Sequence, residues 1–405
     1  MAGSIEKRGE NSYRLVVSAG KDSKGKRKKY RRTVKVEGKT EAAKIEAAEI
    51  ELAKFIAEIE GENFVEPSKV TFKAFSEKWL NYYPKANNLA PKTTYNYKLY
   101  LDKHILPWFG HIKLSKIVPI NFVEFYKYLQ QDYKKADGKP LSNNSIIKFH
   151  KLLNLMFNTA KDWKLIKTNP LESVSPPKYI KPVKTSYTAE EAKKLMEALK
   201  GEPVKYQAAI ITALGGGFRL GEVTGLRWSS IDFENNIIHI EQSSQYIPGM
   251  GVFTKEPKTE KSKRAMEMAD FSIKILKLHQ IEEKEKRLKC GKKWEGGDFE
   301  TGFVFTQWNG RPMHPDTPSK WFNKFLKRKG LKKITFHELR HTAATLLIDS
   351  GEITIKELSE WLGHSDTNTT TRIYIHDLDP VKKAPAKIMN KVFKIDSEPK
   401  NTDMK

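Results

Sequence analysis

A proline-rich segment divides the 405-residue chain into two parts with different patterns. Residues 173–184 contain Pro176, Pro177 and Pro182 and show no helical periodicity, so this segment is expected to be extended. The length of the chain favours two to four domains. We therefore predict a multidomain protein with an interdomain linker at 173–186.

Helical patterns come before this linker. Within residues 67–172, apolar and aromatic residues recur at helical spacing in segments that begin near Phe72, Thr93, Asn121 and Asn144. Such spacing is typical of helices that bury one face. A helical domain is therefore expected here, with its aromatic residues mostly in the core.

The first 66 residues predict a smaller module. Two strands are expected, at Tyr13–Val17 and Lys29–Val36, followed by a helix from Thr40 to Glu60 that Gly61 stops. One helix can cover only one face of such a sheet. Residues 1–36 hold twelve lysines and arginines against three acids, a net charge of +9. The uncovered face is therefore expected to be basic.

The charge of the whole chain indicates a polyanionic partner. There are 73 lysines and arginines against 49 acids, a net charge of +24, which favours nucleic acid over a small metabolite. The basic residues are spread over every module, and no run of about 18 apolar residues occurs, so no membrane association is expected. The single cysteine, Cys290, excludes an intramolecular disulfide and suits a cytoplasmic protein. The candidate DNA-binding residues of the N-terminal strands are Arg14, Lys26, Arg27, Lys28, Lys29, Arg31 and Arg32.

Polar residues suited to a phosphodiester follow the linker. They are Arg219, Lys258, His337, Arg340, His364 and Tyr374. Arginine presents a fixed fork of donors that can hold two phosphate oxygens. His337 and Arg340 lie three residues apart in a stretch with helical spacing, which puts them on one face. A tyrosine hydroxyl has a pKa of about 10, and positive neighbours favour its nucleophilic form. No metal site is expected, because the histidines lack a convincing set of ligands.

In this order, the residues resemble the pattern of the tyrosine recombinase (phage integrase) family. That pattern is an arginine, a lysine in a β-turn, His-x-x-Arg, a histidine or tryptophan, and a tyrosine. The resemblance implies that Arg219 and Arg340 clamp the scissile phosphate. Glu222, three residues after Arg219, matches the acidic support position.

The same resemblance implies roles in proton transfer and nucleophilic attack. Lys258 would be the general acid toward the 5′ oxygen, and Tyr374 would form a 3′-phosphotyrosine intermediate. His337 and His364 would assist proton transfer and donate hydrogen bonds to the phosphate. Because the covalent bond to tyrosine keeps the energy of the phosphodiester, no cofactor is expected.

The expected fold class is α+β, mainly α with small antiparallel sheets. The expected domains are an arm-type DNA-binding domain of strands and a helix at 1–66, a helical core-binding domain at 67–172, the linker at 173–186, a mixed α/β catalytic domain at 187–380 and a C-terminal tail at 381–405.

The function that the resemblance implies is site-specific integration and excision of a mobile element. The partners would be double-stranded DNA with core and arm sites, three further copies in a tetramer, a host DNA-bending protein and an excisionase. Two alternatives stay open, a type IB topoisomerase and an inactive DNA-binding regulator. Lys255 or Lys261 could replace Lys258, and the tail could pack on its own domain or on a neighbouring protomer.

Overall fold

The structure of the protein is a computed structural model. It describes residues 2–21, 27–38, 40–60, 70–181, 185–256 and 263–363. The chain divides into two compact units, residues 1–182 and 183–405. The boundary between these units lies within the linker expected at 173–186.

A three-stranded antiparallel sheet and one helix form the start of the first unit. The elements are β1 (Ala2–Gly9), β2 (Ser12–Lys21), β3 (Arg27–Lys35) and α1 (Glu41–Glu60). β2 lies in the middle of the sheet. Leu15, Val17 and Tyr30 pack against Phe55 and Ile59 of α1, so the helix covers one face. The structure confirms the two expected strands and the helix. It adds β1, whose small and charged residues have low strand propensity.

The rest of the first unit is helical, as expected. Its helices are α2 (Phe72–Ala86), α3 (Pro91–Tyr100), α4 (Leu106–Phe109), α5 (Pro119–Gln131) and α6 (Asn143–Asp162). A π-helical turn, Leu101–Ile105, joins α3 to α4, so the helix expected from Thr93 begins earlier and continues beyond Ile105. Pro107 is tolerated because it lies in the first turn of α4. Trp79, Phe109 and Phe157 are fully buried in this domain's core.

The described first half of the linker is neither helix nor strand, as its prolines predict. It is nevertheless attached to the start of α6. Asn143 donates to Lys178 O at 3.0 Å. The Asn144 side chain donates to Ile180 O at 2.7 Å and accepts from Ile180 N at 3.1 Å. These bonds hold the extended backbone beside the helix.

The second unit contains seven α-helices and five short strands within its described residues. The helices are α7 (Ala189–Leu199), α8 (Val204–Gly215), α9 (Leu220–Gly225), α10 (Asp270–Cys290), α11 (Thr317–Arg328), α12 (Phe336–Asp349) and α13 (Ile355–Leu362). The strands are β4 (Ile231–Asp232), β5 (Ile237–Ile240), β6 (Ser243–Ile247), β7 (Gly251–Lys255) and β8 (Arg264–Glu267). β4, β5 and β8 form one antiparallel sheet, and β6 and β7 form a separate hairpin.

α8 occupies the centre of this unit. Its residues 208–213 are all buried, which is the pattern of a helix surrounded by others. α9, α10, α11 and α12 pack against it. The helix ends at Gly215, and the chain then turns through Gly217 into Arg219. The packing of α8 in the core thereby fixes the backbone position of Arg219, the first candidate arginine.

Two features of this unit correct or refine what its sequence predicts. The charged, glycine-containing stretch from Lys284 to Asp298 predicts a surface excursion, but α10 continues to Cys290 because lysine, glutamate, arginine and leucine are good helix formers. Gly291 ends the helix with a φ of +53°. The strand-like residues 236–240 predict the start of a small antiparallel sheet that holds Lys258, whereas the flanking strands β7 and β8 belong to different sheets. Lys258 itself lies outside the described residues.

Among the described helices, none is both long enough and apolar enough to cross a lipid bilayer.

Candidate active site

Arg340 is a buried cation near the start of α12. Thr335 caps this helix by accepting a hydrogen bond from Glu338 N at 3.3 Å, while the Glu338 carboxylate accepts one from Thr335 N. The cap places exposed His337 in the first turn and Arg340 one turn further on. Arg340 is 2% exposed. A charge with so little access to water needs partners inside the protein.

Two backbone carbonyls supply such partners. Arg340 Nη1 donates to Gly217 O at 2.7 Å, and Nη2 donates to Leu362 O at 2.6 Å. Gly217 has a φ of +59°, and a Cβ at this position would overlap the ring of Trp361. Glycine is therefore required where the chain turns toward Arg340. The two bonds fix the plane of the guanidinium group.

Arg219 lies immediately before α9 and is anchored by Glu222. Arg219 Nη1 donates to Glu222 Oε1 at 2.7 Å, and Arg219 N donates to Glu222 Oε2 at 3.0 Å. Nη2 donates to Gly363 O at 3.3 Å. The side chain of Glu222 is 7% exposed, whereas that of Arg219 is 37% exposed. A buried carboxylate thus holds a guanidinium group that still reaches solvent.

A third arginine, Arg264, joins the same carboxylate from the start of β8. Its Nη2 donates to Glu222 Oε2 at 3.0 Å, and its Nε donates to Trp361 O at 3.1 Å. The side chain is 8% exposed. The sequence pattern did not single out Arg264, because it ends a charged run that begins at Lys255. The available signal was its position two residues before Met266, which is buried in the core.

These three arginines bond to three consecutive carbonyls at the end of α13. Arg264 bonds to Trp361 O, Arg340 to Leu362 O and Arg219 to Gly363 O. The carboxyl end of a helix carries a partial negative charge that favours such cations. We call Arg219, Glu222, Arg264 and Arg340 the arginine centre. Because the centre contains three guanidinium groups and only one carboxylate, which Arg219 and Arg264 contact, it stays positive and suits a phosphate group.

Glu222 is ionised in this centre. Burial alone would raise the pKa of its carboxyl group, but Arg264 and Arg219 outweigh burial and hold that pKa below its ordinary value. The carboxylate therefore remains charged at neutral pH and keeps both guanidinium groups in place.

The structure brings together Arg219, Glu222 and Arg340 from the predicted set, with His337 on the same helix as Arg340. His337 is exposed, and its ring centroid lies 5.0 Å from that of His341 in an edge-on arrangement. Lys258, His364 and Tyr374 lie outside the described residues. The chain enters the segment that holds His364 and Tyr374 directly after Gly363, whose carbonyl Arg219 contacts.

The predicted cations of the N-terminal sheet lie on two different faces. The α1-covered face includes Leu15 and Val17, which pair with Arg32 and Tyr30 of β3. Arg32 accordingly lies 4.2 Å from the ring centroid of Phe55. Lys28 lies four residues before Arg32 on β3 and therefore on the same face, with its Nζ 5.0 Å from the ring centroid of Tyr30.

Strand alternation places the remaining described cations on the opposite face. We call this surface the open face, and it holds Arg14, Arg27, Lys29 and Arg31. Arg27, Lys29 and Arg31 are exposed, whereas Arg14 is half-buried and 4.0 Å from Glu6 of β1. Lys26 lies outside the described residues. The basic face expected from the sequence is thus present, with Arg32 on the other side.

Two parts of the chain match models of known protein families. Residues 186–380 match the Phage integrase family, and residues 71–130 match a phage integrase N-terminal SAM-like domain. A tyrosine recombinase XerC-like protein of Caldanaerobacter subterraneus subsp. tengcongensis is 29% identical, covering 96% of this chain and 98% of the relative. The ICEBs1 integrase of Bacillus subtilis is 27% identical, covering 92% of this chain and 95% of the relative.

Solved structures share the fold. The Tn1549 transposon integrase, solved in complex with a circular intermediate DNA, has a TM-score of 0.63 at 20% identity, covering 80% of this chain and all of that chain. A lambda integrase tetramer bound to a Holliday junction has a TM-score of 0.55 at 20% identity, covering 91% of this chain and 94% of that chain. At these identities the likeness concerns the fold alone.

Proposed function

Because this chain belongs to the phage integrase family of tyrosine recombinases, we propose that it is a site-specific integrase whose arginine centre holds the scissile phosphate. The observation that carries this proposal is the bonding of three arginines to three consecutive carbonyls around one buried carboxylate. Arginines held by fixed acceptors need little rearrangement when charge develops on a phosphate, and such preorganisation is usually a large part of catalysis.

In the first chemical step, the hydroxyl oxygen of Tyr374 attacks the phosphorus atom while its proton passes to a neutral histidine, His337 or His364. A bond forms between this oxygen and phosphorus, and the bond from phosphorus to the 5′ oxygen breaks. The product is a 3′-phosphotyrosine and a DNA strand with a free 5′ hydroxyl. Lys258 supplies the proton that the departing 5′ oxygen needs.

The arginines and histidines stabilise this displacement. Arg219 and Arg340 donate to the non-bridging oxygens, where negative charge increases in the transition state. His337 and His364 donate hydrogen bonds to the phosphate and assist proton transfer. The 5′ hydroxyl of another strand then attacks the phosphotyrosine, which releases Tyr374 and joins the strands in a new combination.

We assign DNA contacts to the first unit. Residues 1–66 bind arm sites through the open face, and residues 67–172 bind the core site. Residues 187–380 carry out the chemistry, and residues 381–405 form the tail. Four copies act on two duplexes. This assignment is supported by a lambda integrase of similar fold, which was solved as a tetramer bound to a Holliday junction. A host bending protein and an excisionase set the direction, and the reaction takes place on cytoplasmic DNA.

The test is covalent capture on a nicked duplex. The substrate spans the end of the mobile element and carries a nick beside the cleavage site, so the short cleaved product diffuses away and the protein stays attached. We expect the native chain to form a covalent adduct and Tyr374→Phe to form none while it still shifts the DNA in a binding assay. Tyr179→Phe is the matched control, because its side chain is 61% exposed in the linker, and it should form the full adduct.

A persistent adduct in Tyr374→Phe would refute the assignment of the nucleophile. Absence of any adduct from the native chain would favour a DNA-binding regulator. An adduct together with relaxation of supercoiled DNA, but without recombination between two sites, would indicate a topoisomerase instead.

A further inference from the structure

α10 exposes an apolar stripe on the face that points away from its own domain. Its buried face packs into the core of the second unit through Ser272, Ile273, Ile275, Leu276, His279 and Glu283. On the opposite face, Phe271 is 47% exposed, Leu278 53%, Ile281 54% and Leu288 82%. The solvent face of a surface helix is normally polar. Four large apolar side chains in one row therefore need an explanation.

The spacing of the stripe matches a two-helix seam. Intervals of three and four residues alternate along the row, and the two positions between the apolar residues are lysine and glutamate. We call this row the α10 seam, and in order it consists of Phe271, Lys274, Leu278, Ile281, Glu285 and Leu288. A repeat of this period keeps one stripe facing a partner helix along its whole length.

The α10 seam is complementary to itself when one copy is reversed. Antiparallel alignment places Phe271 opposite Leu288, and Leu278 opposite Ile281. The same alignment places Lys274 opposite Glu285, so the charged layers attract. Parallel alignment would place Lys274 against itself and Glu285 against itself, which repels. We propose that a second copy of this chain docks on α10, antiparallel, through this seam.

The lysines beside the seam do not oppose such pairing. Lys277 Nζ lies 5.9 Å from the ring centroid of Phe233, and Lys284 Nζ lies 5.4 Å from that of Phe299. Both ammonium groups thus turn toward aromatic rings of their own chain. Glu285 already contacts Lys289 at 3.5 Å on the helix surface, a type of exposed pair that contributes little and can give way to Lys274 of the second copy.

The expected dimer is weak and reversible. α10 is about 30 Å long, and one pair of such helices buries less than the roughly 1,200 Å² found in stable interfaces. Association therefore depends on protein concentration and does not require DNA. This contact goes beyond the proposed tetramer on DNA, and it holds or fails independently of the recombination chemistry.

Sedimentation of the full chain without DNA tests the proposal. We expect a monomer–dimer equilibrium at concentrations up to about 100 µM. Because each copy contributes one Ile281 to the interface, Ile281→Glu changes two interface residues and should weaken dimerisation by at least about tenfold. Ile120→Glu is the matched control, because Ile120 is also an exposed isoleucine on a helix, at 55%, and it should leave the equilibrium unchanged.

Charge exchange tests the register of the seam. Lys274→Glu and Glu285→Lys should each weaken the dimer by about tenfold, because each opposes like charges. The double variant restores opposite charges across the seam and should dimerise like the native chain. If the double variant dimerises no better than the single ones, the register is wrong.

Cysteine crosslinking in a Cys290→Ser background tests the orientation. A mixture of Leu278→Cys and Ile281→Cys chains should form mixed disulfide dimers, and Leu278→Cys alone should not. Dimers of Leu278→Cys alone would indicate parallel helices and overturn the proposal. A monomer at every concentration, or a dimer that Ile281→Glu leaves unchanged, overturns it as well, and a monomer with α10 protected from hydrogen exchange would assign the seam to another segment of the same chain.

Discussion

The open face of the N-terminal sheet and the arginine centre use the same kind of side chain in opposite surroundings. On the open face, Arg27, Lys29 and Arg31 are exposed on one strand. In the arginine centre, the side chain of Arg340 is buried, that of Arg264 is only 8% exposed, and both donate to fixed carbonyl oxygens. Exposed charges attract a polyanion with little control of geometry, and salt screens them. Buried guanidinium groups can position a single phosphate. We infer that the number of charges governs DNA affinity and that their placement governs chemistry.

The largest expected effect separates the placement of the positive charges from their number. Arg340→Ala should slow covalent cleavage by at least about 1,000-fold, while the dissociation constant for DNA changes by less than about threefold. Single-turnover adduct formation and a binding titration measure the two quantities. Arg340→Lys keeps the charge but cannot reach both Gly217 O and Leu362 O in a planar fork, so it should also be slow. A loss of DNA affinity in proportion to the loss of cleavage rate would contradict the inference that the placement of charges governs chemistry alone.

A second test removes the acid that holds two of the arginines. Glu222→Gln should lower the free energy of unfolding by about 3–5 kcal/mol at neutral pH, because two buried or partly buried cations lose their anion. Cleavage should slow by up to about 100-fold through misplacement of Arg219. Denaturant unfolding and single-turnover cleavage provide the measurements.

Glu283→Gln is the matched control for that variant. The Glu283 side chain is 5% exposed and contacts Lys286 and Thr306 in the same unit. This control should lose stability without a comparable loss of cleavage rate. Equal slowing in both variants would mean that any buried acid matters only through stability.

The pH dependence of Glu222→Gln follows from the lowered pKa of Glu222. A carboxyl group with a lowered folded-state pKa contributes stability that is fully present above its unfolded pKa, about 4.3, and is lost as the pH falls through the folded value. The difference in stability between the native chain and the variant should therefore be constant near neutral pH and shrink in acid. A difference that stays constant into acid would contradict this explanation.

A smaller effect is expected on the open face. Replacing Arg27, Lys29 and Arg31 together by glutamine should weaken DNA binding by about tenfold at moderate salt and reduce the salt slope by up to about 3. The rate of cleavage at saturating DNA should not change. Binding titrations over a range of salt concentrations test both statements. A slower cleavage step at saturation would mean that the open face also contributes to chemistry.

The smallest effect is expected at Arg32. Because its guanidinium group lies over Phe55, Arg32→Gln should cost about 0.5–1 kcal/mol of stability and leave the salt slope unchanged. Thermal unfolding and the same titrations compare it with the open-face variants. A slope change equal to that of one open-face residue would place Arg32 on the DNA-binding side.

Much of the fold could be predicted because it depends on local patterns. The helix that carries His337 and Arg340 follows from residues at helical spacing, and α1 follows from Thr40 and Gly61, which mark its two ends. The sequence does not predict β1, because its residues have little strand propensity and its pairing with β2 holds it in the sheet. The sequence does not locate the end of α10, because charged residues are as typical of a surface helix as of a loop.

The sequence by itself determined the order of the modules, the helices and the family pattern from Arg219 to Tyr374, since these depend on spacing along the chain. Only the tertiary structure decided that Arg264 completes the arginine centre, that Arg32 faces Phe55 and that one row of α10 remains exposed. Arg264 and Trp361 are 97 residues apart, and Arg219 and Gly363 are 144 residues apart. No local sequence pattern specifies such long-range contacts, because they form when a shared core brings distant segments of the chain together.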